Sequence, residues 1–261
     1  MRLKKVMATG LVAALALSTM VGCSSKKDSS DQKKIGVVQL VEHDALDASY
    51  KGFKDGLEKA GYKDGDKIKI EYKNAQNEQS NCQTIAKQFV TDKCDLVLAI
   101  ATPAAQVMAS STADIPIVGT AITSFEQAKL VESDEAPGTN VTGTHDMSPI
   151  AEQIDLLLQV VPDAKTVGTI YTSSEKNSEV QVAILEEVAA EKGLTVEKRT
   201  ISSVNDIQQA AQSLVGEVDA IWLPTDNNVA SAMPQVVGVT DEAKIVTVCG
   251  EESMVYAGGT I

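Results

Sequence analysis

The chain has 261 residues with an ordinary hydrophobic fraction of 43%, enough to bury one large core or two medium ones. Its formal charge of −13 argues against nucleic-acid binding, because a duplex is itself a dense line of negative charge. The acidity otherwise serves solubility and does not name a ligand.

The N-terminus opens with Arg2, Lys4 and Lys5, continues through an uncharged run of apolar and small residues from Val6 to Gly22, and reaches Met20-Val21-Gly22-Cys23. This is the layout of a secretory signal over residues 1–22, too short and too weakly apolar for a spanning helix. The small residue directly before the cysteine resembles the lipobox of bacterial lipoproteins, with Met20 where Leu is usual. That resemblance implies cleavage before Cys23, lipidation of its thiol and a membrane anchor; the alternative is an uncleaved signal anchor. Ser24 to Lys34 contains no apolar residue and reads, with Cys23, as a flexible tether over residues 23–34. No later segment is long and apolar enough to span a bilayer.

From Ile35 onward short apolar runs alternate with amphipathic stretches. Ile35–Val41 predicts a strand, and Ala45–Ala60 a helix stopped by Gly61. Lys67–Lys73 alternates as a strand. Ser80 with Gln83 forms a capping-box pattern for a helix to Thr91. Asp95–Ile100 is a buried-type strand, Thr102-Pro103 an N-cap with Pro at the first helical position, and Ile115–Ala121 a fourth strand. Ser124 with Gln127 is another capping box, and Asn140–Thr144 a fifth strand. The pattern then restarts. A helix runs from Ser148-Pro149 to Val161 and a strand over Thr166–Tyr171. Ser178 with Gln181 caps a helix to Lys192, and Leu194–Thr200 is a strand. Ser203 with Asp206 opens a helix to Val215, and Asp219–Leu223 is a strand. A helix from Asn228 and a strand over Lys244–Val248 complete the set.

Strands alternating with helices of this length predict βαβ units, an α/β class with parallel sheets flanked by helices. Five strands followed by four predict two lobes, residues 35–144 and 145–261. The three remaining cysteines, Cys82, Cys94 and Cys249, are an odd number and form no disulfide framework. Cys82 and Cys94 flank one predicted helix, about 18 Å apart and too far to bridge. All three read as small buried hydrophobes, and no Cys-x-x-Cys pair suggests zinc.

In open parallel sheets, ligands bind beyond the carboxyl ends of the strands. The loops selected by that rule are Gln39–His43, Thr102–Ala104, Thr123-Ser124, His145-Asp146, Thr172–Asn177, Pro224–Asn227 and Gly250–Glu252, rich in hydroxyls, amides and carboxylates. Several run into helix N-termini, which favour anions. The two histidines, His43 and His145, stand near acids, but their spacing matches no zinc signature. No nucleophile elbow, phosphate-binding glycine loop, dinucleotide fingerprint or zinc-protease motif is present. The loops therefore suit binding better than catalysis, with no cofactor and no metal.

Beyond these features, Ile35-Gly-Val-Val-Gln-Leu-Val-Glu-His43, Asn74-Ala-Gln76, Ala99-Ile-Ala-Thr-Pro-Ala-Ala105, Asn140-Val-Thr-Gly-Thr144, Tyr171-Thr-Ser-Ser-Glu-Lys-Asn-Ser-Glu-Val-Gln181, Ala211-Gln-Ser-Leu-Val-Gly216 and Val218-Asp-Ala-Ile-Trp-Leu-Pro-Thr-Asp-Asn227 together resemble the ABC transporter substrate-binding family whose better-known members take up tryptophan or other aromatic amino acids. The resemblance runs from Ile35 to the end. It departs at Asp44, where Pro is expected, at Trp222, where Tyr is commoner, and around Val248-Cys249. It implies a type I periplasmic-binding-protein fold, with a solute held between two lobes and handed to a membrane permease with its ATPase. Relatives continue for several dozen residues past Ile261, so the resemblance implies an incomplete second lobe. A membrane-tethered ligand sensor for another small polar or heteroaromatic solute is the other reading.

For an amino acid ligand, the expected ammonium acceptor is Asp226, between Thr225 and Asn227. Carboxylate donors are expected around Thr102 and Ala104 and, across the cleft, from Ser173, Ser174 and Asn177. Gln39, Glu42 and Thr123 would complete the first-lobe wall, Tyr171 would supply apolar contact, and Glu251 would stand at the cleft edge.

Overall fold

A computed structural model describes residues 32–261. Cys23, the signal region and most of the tether lie outside the described residues. All nine expected strands form: β1 (Lys33–Gln39), β2 (Ile68–Asn74), β3 (Leu96–Ile100), β4 (Ile117–Ile122), β5 (Val141–His145), β6 (Thr166–Thr172), β7 (Thr195–Ile201), β8 (Ala220–Leu223) and β9 (Val246–Cys249). The helices are α1 (Asp44–Lys59), α2 (Gln79–Thr91), α3 (Thr102–Ser111), α4 (Ile150–Val160), α5 (Lys176–Glu191), α6 (Ile207–Gln212), α7 (Asn227–Ser231), α8 (Met233–Ala243) and α9 (Glu252–Tyr256). β1 takes in Lys33 and Lys34, expected in the tether, because Lys33 and Lys34 pair in register with Ile68 and Lys69.

The strands form two sheets ordered β2-β1-β3-β4-β5 and β7-β6-β8-β9, with parallel pairing throughout. In each sheet the order reverses beside the first strand, between β1 and β3 and again between β6 and β8. These two reversals open crevices at the carboxyl ends of the strands, the places where such sheets take ligands.

Helices cover both faces, so strand residues are apolar in both directions. In the second sheet, alternation sends Trp222 and Val248 to one cluster with Ile154 and Leu185, and Ile221, Leu223 and Cys249 to the other with Met233 and Leu214. Trp222 is fully buried, and its indole N–H donates to Gln153 Oε1 of α4 at 2.8 Å. Cys82, Cys94 and Cys249 are free and buried, as expected. Beyond the last strand, Ile261 N–H donates to Thr247 O at 3.1 Å and Cys249 N–H donates to Ile261 O at 2.7 Å.

Several helix starts differ from expectation, each for a local reason. α2 begins at Gln79, so Ser80 lies inside it; Ser80 O accepts from the Thr84 hydroxyl. Ser124 accepts from Gln127 N–H but caps only a series of turns. α5 begins at Lys176, which leaves the Ser178 hydroxyl free to reach Asp226. Only Ser203 forms its capping box, on a short 3-10 turn leading into α6. The helix expected from Asn228 is split at Ala232, next to Met233-Pro234, because Pro lacks the N–H that would continue it.

Candidate functional site

The two sheets present their carboxyl ends to each other, and polar contacts cross between the lobes. His43 Nε2 meets Asn227 Oδ1 at 3.4 Å. Asn77 donates its side-chain amide to Asn228. Thr123 and Thr225 hydroxyls lie 3.4 Å apart, and Gln181 donates to both. Gly250 at the end of β9 is needed for close packing: a Cβ there would sit 2.6 Å from the Pro224 carbonyl carbon.

Four non-glycine residues at first-lobe strand ends, Gln76, Asn77, Ala101 and Ala121, have positive φ. Ala101, at φ 81° and ψ 149°, occupies a region used almost only by glycine. It is held between a hydrogen bond to Thr120 O and one accepted from Ala105 N–H. Such strain gathers where a binding surface is over-determined by its surroundings, and here it sets the start of α3.

A cavity of about 410 Å³ lies between the lobes, with Leu40, Cys82, Pro103 and Val107 on its apolar side and Thr172, Ser174, Glu175 and Asn228 facing from the second lobe. A smaller one of about 80 Å³ is lined by His43, Ala121, Thr123, Asp146, Asn177, Asn227 and Glu251, among others. The larger volume falls in the range of small-molecule sites, roughly 300–1,000 Å³.

Glu175 is 3% exposed and held asymmetrically. Its Oε2 accepts from Asn177 Nδ2 at 2.9 Å, Asn227 Nδ2 at 2.6 Å and Asn227 N–H at 3.3 Å. Its Oε1 has no protein partner. Burial first, and Asp226 nearby second, push its carboxyl up to about 8 against the pull of the Asn177 and Asn227 hydrogen bonds. Asp226, by contrast, has both oxygens hydrogen-bonded. Thr172 N–H and Ser178 Oγ donate to Oδ2 at 2.6 and 2.7 Å, while Thr172 Oγ1 and Val229 N–H donate to Oδ1 at 2.8 and 3.0 Å.

Buried polar atoms without a protein partner also include Gln39 Oε1, His43 Nδ1, Thr102 Oγ1 and Asn177 Oδ1. The orientation of both amides is fixed by what their nitrogens donate to. Gln39 Nε2 faces Val41 O and Asp47, and Asn177 Nδ2 faces Glu175 and Thr225 O. Because His43 Nε2 faces the Asn227 carbonyl oxygen it carries the proton, leaving Nδ1 an acceptor in the neutral ring. Burial holds His43 neutral by lowering its pKa, opposed by the Asn227 contact and by Glu251, Asp47 and Asp44. Burial likewise raises Asp146. Of the residues with unpartnered atoms, Glu175 lines the larger cavity and His43 and Asn177 the smaller one, Gln39 and Thr102 line neither, and no Lys or Arg lines either of the two cavities. Unpartnered buried polar atoms are rare and costly; this set matches a ligand that donates several N–H bonds.

Of the residues expected from sequence, Gln39, Thr102, Ala104, Thr123, Asn177, Thr225, Asp226 and Asn227 are buried or nearly so at the facing strand ends. Ser174 lines the larger cavity, and Glu251 lines the smaller one while capping α9 through Ser253. Six line neither cavity: Gln39, Thr102 and Ala104 are buried at the first-lobe strand ends, and Glu42, Tyr171 and Ser173 turn elsewhere. Glu42 is exposed and hydrogen-bonds Tyr72 on β2. Tyr171, one residue before Thr172 and so on the opposite face of β6, packs into the second-lobe core. Ser173 is exposed and turned to Ile201 O of β7. Glu175 and His43 line the cavities although nothing in their local sequence singles them out. The available signal was position: both follow the first strand of their sheet, at the order reversal.

Two doubly wound lobes closed over a polar cleft at paired order reversals define a solute-binding protein of the type I periplasmic-binding-protein fold. The profile of the family described as ABC transporter substrate binding protein matches residues 34–261, and the chain belongs to that family. It is 44% identical to a tyrosine-binding protein of Clostridioides difficile (strain R20291), over 98% of this chain and 77% of the relative. Among solved structures it is similar to an ABC domain in complex with L-Trp from Streptococcus pneumonia, at 43% identity, with a TM-score of 0.85 and coverage of 87% of this chain and 77% of that one. It is also similar to the ligand-free, open structure of a substrate-binding protein with adhesive properties from Clostridium difficile, 46% identical with the same coverage but with a TM-score of 0.63. The lobes here are therefore arranged as in the ligand-bound relative more than as in the open one.

Proposed function

We propose that this protein binds an aromatic amino acid reversibly between its lobes and delivers it, unchanged, to an ABC permease and its ATPase. The observation that carries the reading is the set of unpartnered buried acceptors on residues that line the cleft cavities: His43 Nδ1, Glu175 Oε1 and Asn177 Oδ1. An α-ammonium group supplies three N–H donors and a positive charge to such a set. The carboxylate goes to the start of α3, where the unpartnered Thr102 hydroxyl and the free N–H groups of the first turn, Ala104 among them, form an anion site. The side chain extends into the larger cavity against Leu40, Cys82, Pro103 and Val107.

In this reading Glu175 receives the ammonium, and Asp226, its oxygens already bonded, holds the loop in place. Thr123, Thr225, Asn227 and Glu251 shape the cleft, and Ser174 stands at its mouth. The aromatic class rests on the tyrosine-binding and L-Trp-bound relatives. The lobes divide at residues 35–144 and 145–261. Among the described residues no helix is long and apolar enough to cross a membrane; the basic start, apolar run and Met20-Val21-Gly22-Cys23 support export and a lipid anchor on Cys23, outside the cytoplasm. Mass spectrometry of ligand released from the purified protein tests the assignment. An unmodified aromatic amino acid is expected; a chemically altered product, or a solute without an amino group, would overturn it.

A further inference from the structure

The larger cavity carries an inference about the ligand's side chain that rests on the amino acid reading. Pro103, Gln106, Val107 and Ser110 line it from α3, at the spacing that places side chains on one face of a helix. From Thr102 to Gln106 the helix rises about 6 Å, so a carboxylate at the helix start leaves the far end of an aromatic side chain beside Gln106. Gln106 is half-buried, and its Nε2 donates to Ala128 O at 3.0 Å. Ala128 lines a neighbouring groove that Gln106 also borders, and not the cleft cavity. An amide has a donating end and an accepting end. With the nitrogen committed to Ala128, the free end of Gln106 is Oε1, to which no group among the described residues donates.

The other polar groups along this cavity are either bonded already or solvated. The Ser110 hydroxyl donates to Val107 O and the Ser202 hydroxyl to Asp206. Asn77 donates to Asn228, which donates in turn to Thr172. Gln79 and Gln83 are exposed at the rim.

We propose that Gln106 reads the end of the ligand's side chain, its Oε1 accepting one hydrogen bond from a phenol O–H or an indole N–H, so that the site favours rings carrying a donor over phenylalanine. Tyrosine and tryptophan, the amino acids named for the relatives, differ in shape but share that donor. Phenylalanine fills the same space and leaves Oε1 covered without a partner. An acceptor that loses its water and gains no donor costs free energy, and a site built around such a bond rejects the analogue that lacks it.

The experiment is isothermal titration of the full chain and of Gln106→Met with L-tyrosine, L-tryptophan, L-phenylalanine and O-methyl-L-tyrosine, with thermal melts of both proteins. Methionine keeps the length of the side chain and removes the acceptor; Gln106→Leu is the second apolar replacement should the first fail to fold. In the wild type, tyrosine binds roughly 10-fold or more tightly than both phenylalanine and O-methyl-L-tyrosine. One of these analogues is smaller than tyrosine and the other larger, so a loss with both separates the hydrogen bond from fit. In the variant the tyrosine affinity falls to about that of phenylalanine, while phenylalanine binds as it does to the wild type. Equal affinity of the wild type for tyrosine and phenylalanine overturns the inference and leaves the amino acid reading standing. A preference that survives in a folded variant, including an equal loss for every ligand, gives Gln106 a structural role only and overturns it as well. Failure of every amino acid to bind the wild type overturns the reading and the inference together.

Discussion

Asp226 and Thr172 are joined twice: Thr172 N–H donates to Asp226 Oδ2 at 2.6 Å, and its hydroxyl donates to Oδ1 at 2.8 Å. The pair ties the end of β6 to the loop after β8 and brings the Glu175 loop against Asn227. Ser178 and Val229 complete four donors on a carboxylate with no exposed surface. Asp226→Ala strips partners from four buried donors at once, so its effect falls on the fold first. Urea unfolding is expected to show a loss of about 3–5 kcal/mol. A folded Asp226→Ala with unchanged stability and lost amino acid affinity would return the ammonium contact to this residue.

Thr102 gives the reverse pattern. Its hydroxyl is buried and unpartnered at the start of α3, which costs stability. Thr102→Val keeps the shape and removes the unsatisfied group. The ligand-free protein is expected to gain up to about 1 kcal/mol in unfolding free energy, while amino acid affinity falls roughly 10-fold. Thermal melts and titrations on the same preparation check both signs; a variant that loses stability and keeps affinity contradicts the placement of the carboxylate.

The ring of acceptors was only partly legible in the sequence. Strand alternation, loop positions and the sheet class could be read because each depends on neighbours a few residues apart. Glu175 sits between Ser174 and Lys176 and reads there as a surface acid; what buries it is Asn227, 52 positions later. Asp226 and Glu175 both follow a strand beside the order reversal, and nothing local tells which one fills all its lone pairs. The same limit explains Ser178, whose hydroxyl finds Asp226 across the lobe instead of capping its own helix. Glu42 and His43 are adjacent, but one turns to Tyr72 and the other to Asn227, a choice made by the opening of α1.

Glu175 also makes stability depend on pH. Burial and Asp226 raise its carboxyl from 4.5 to about 8 in the closed, ligand-free form. A raised acid contributes stability that is fully present below its ordinary value and is lost as pH rises through the raised one. Wild type is therefore expected to lose unfolding free energy between pH 4.5 and about 8 relative to Glu175→Gln, with no further divergence above that window. Parallel urea curves for the two proteins across the window would show that the carboxyl is not raised.

Trp222 and Gln153 anchor the second lobe behind the cleft. The indole N–H of a fully buried Trp222 has Gln153 Oε1 as its acceptor. Gln153→Leu leaves that donor unsatisfied and is expected to cost about 1–3 kcal/mol, measured by chemical denaturation. Trp222 is the only tryptophan in the chain, so its fluorescence reports the same event. Unaltered stability and an unshifted emission maximum would show that the contact contributes nothing.

The central claim, that the interlobe cleft holds an amino acid zwitterion through Glu175 and the start of α3, is tested most directly by isothermal titration of the full chain with L-tyrosine and L-tryptophan, followed by recovery of the ligand. Saturable binding at one site per chain, with the amino acid recovered unchanged and the affinity reduced roughly 30-fold or more in a folded Glu175→Ala protein, is the predicted result. Absence of binding, or undiminished affinity in that variant, would contradict it.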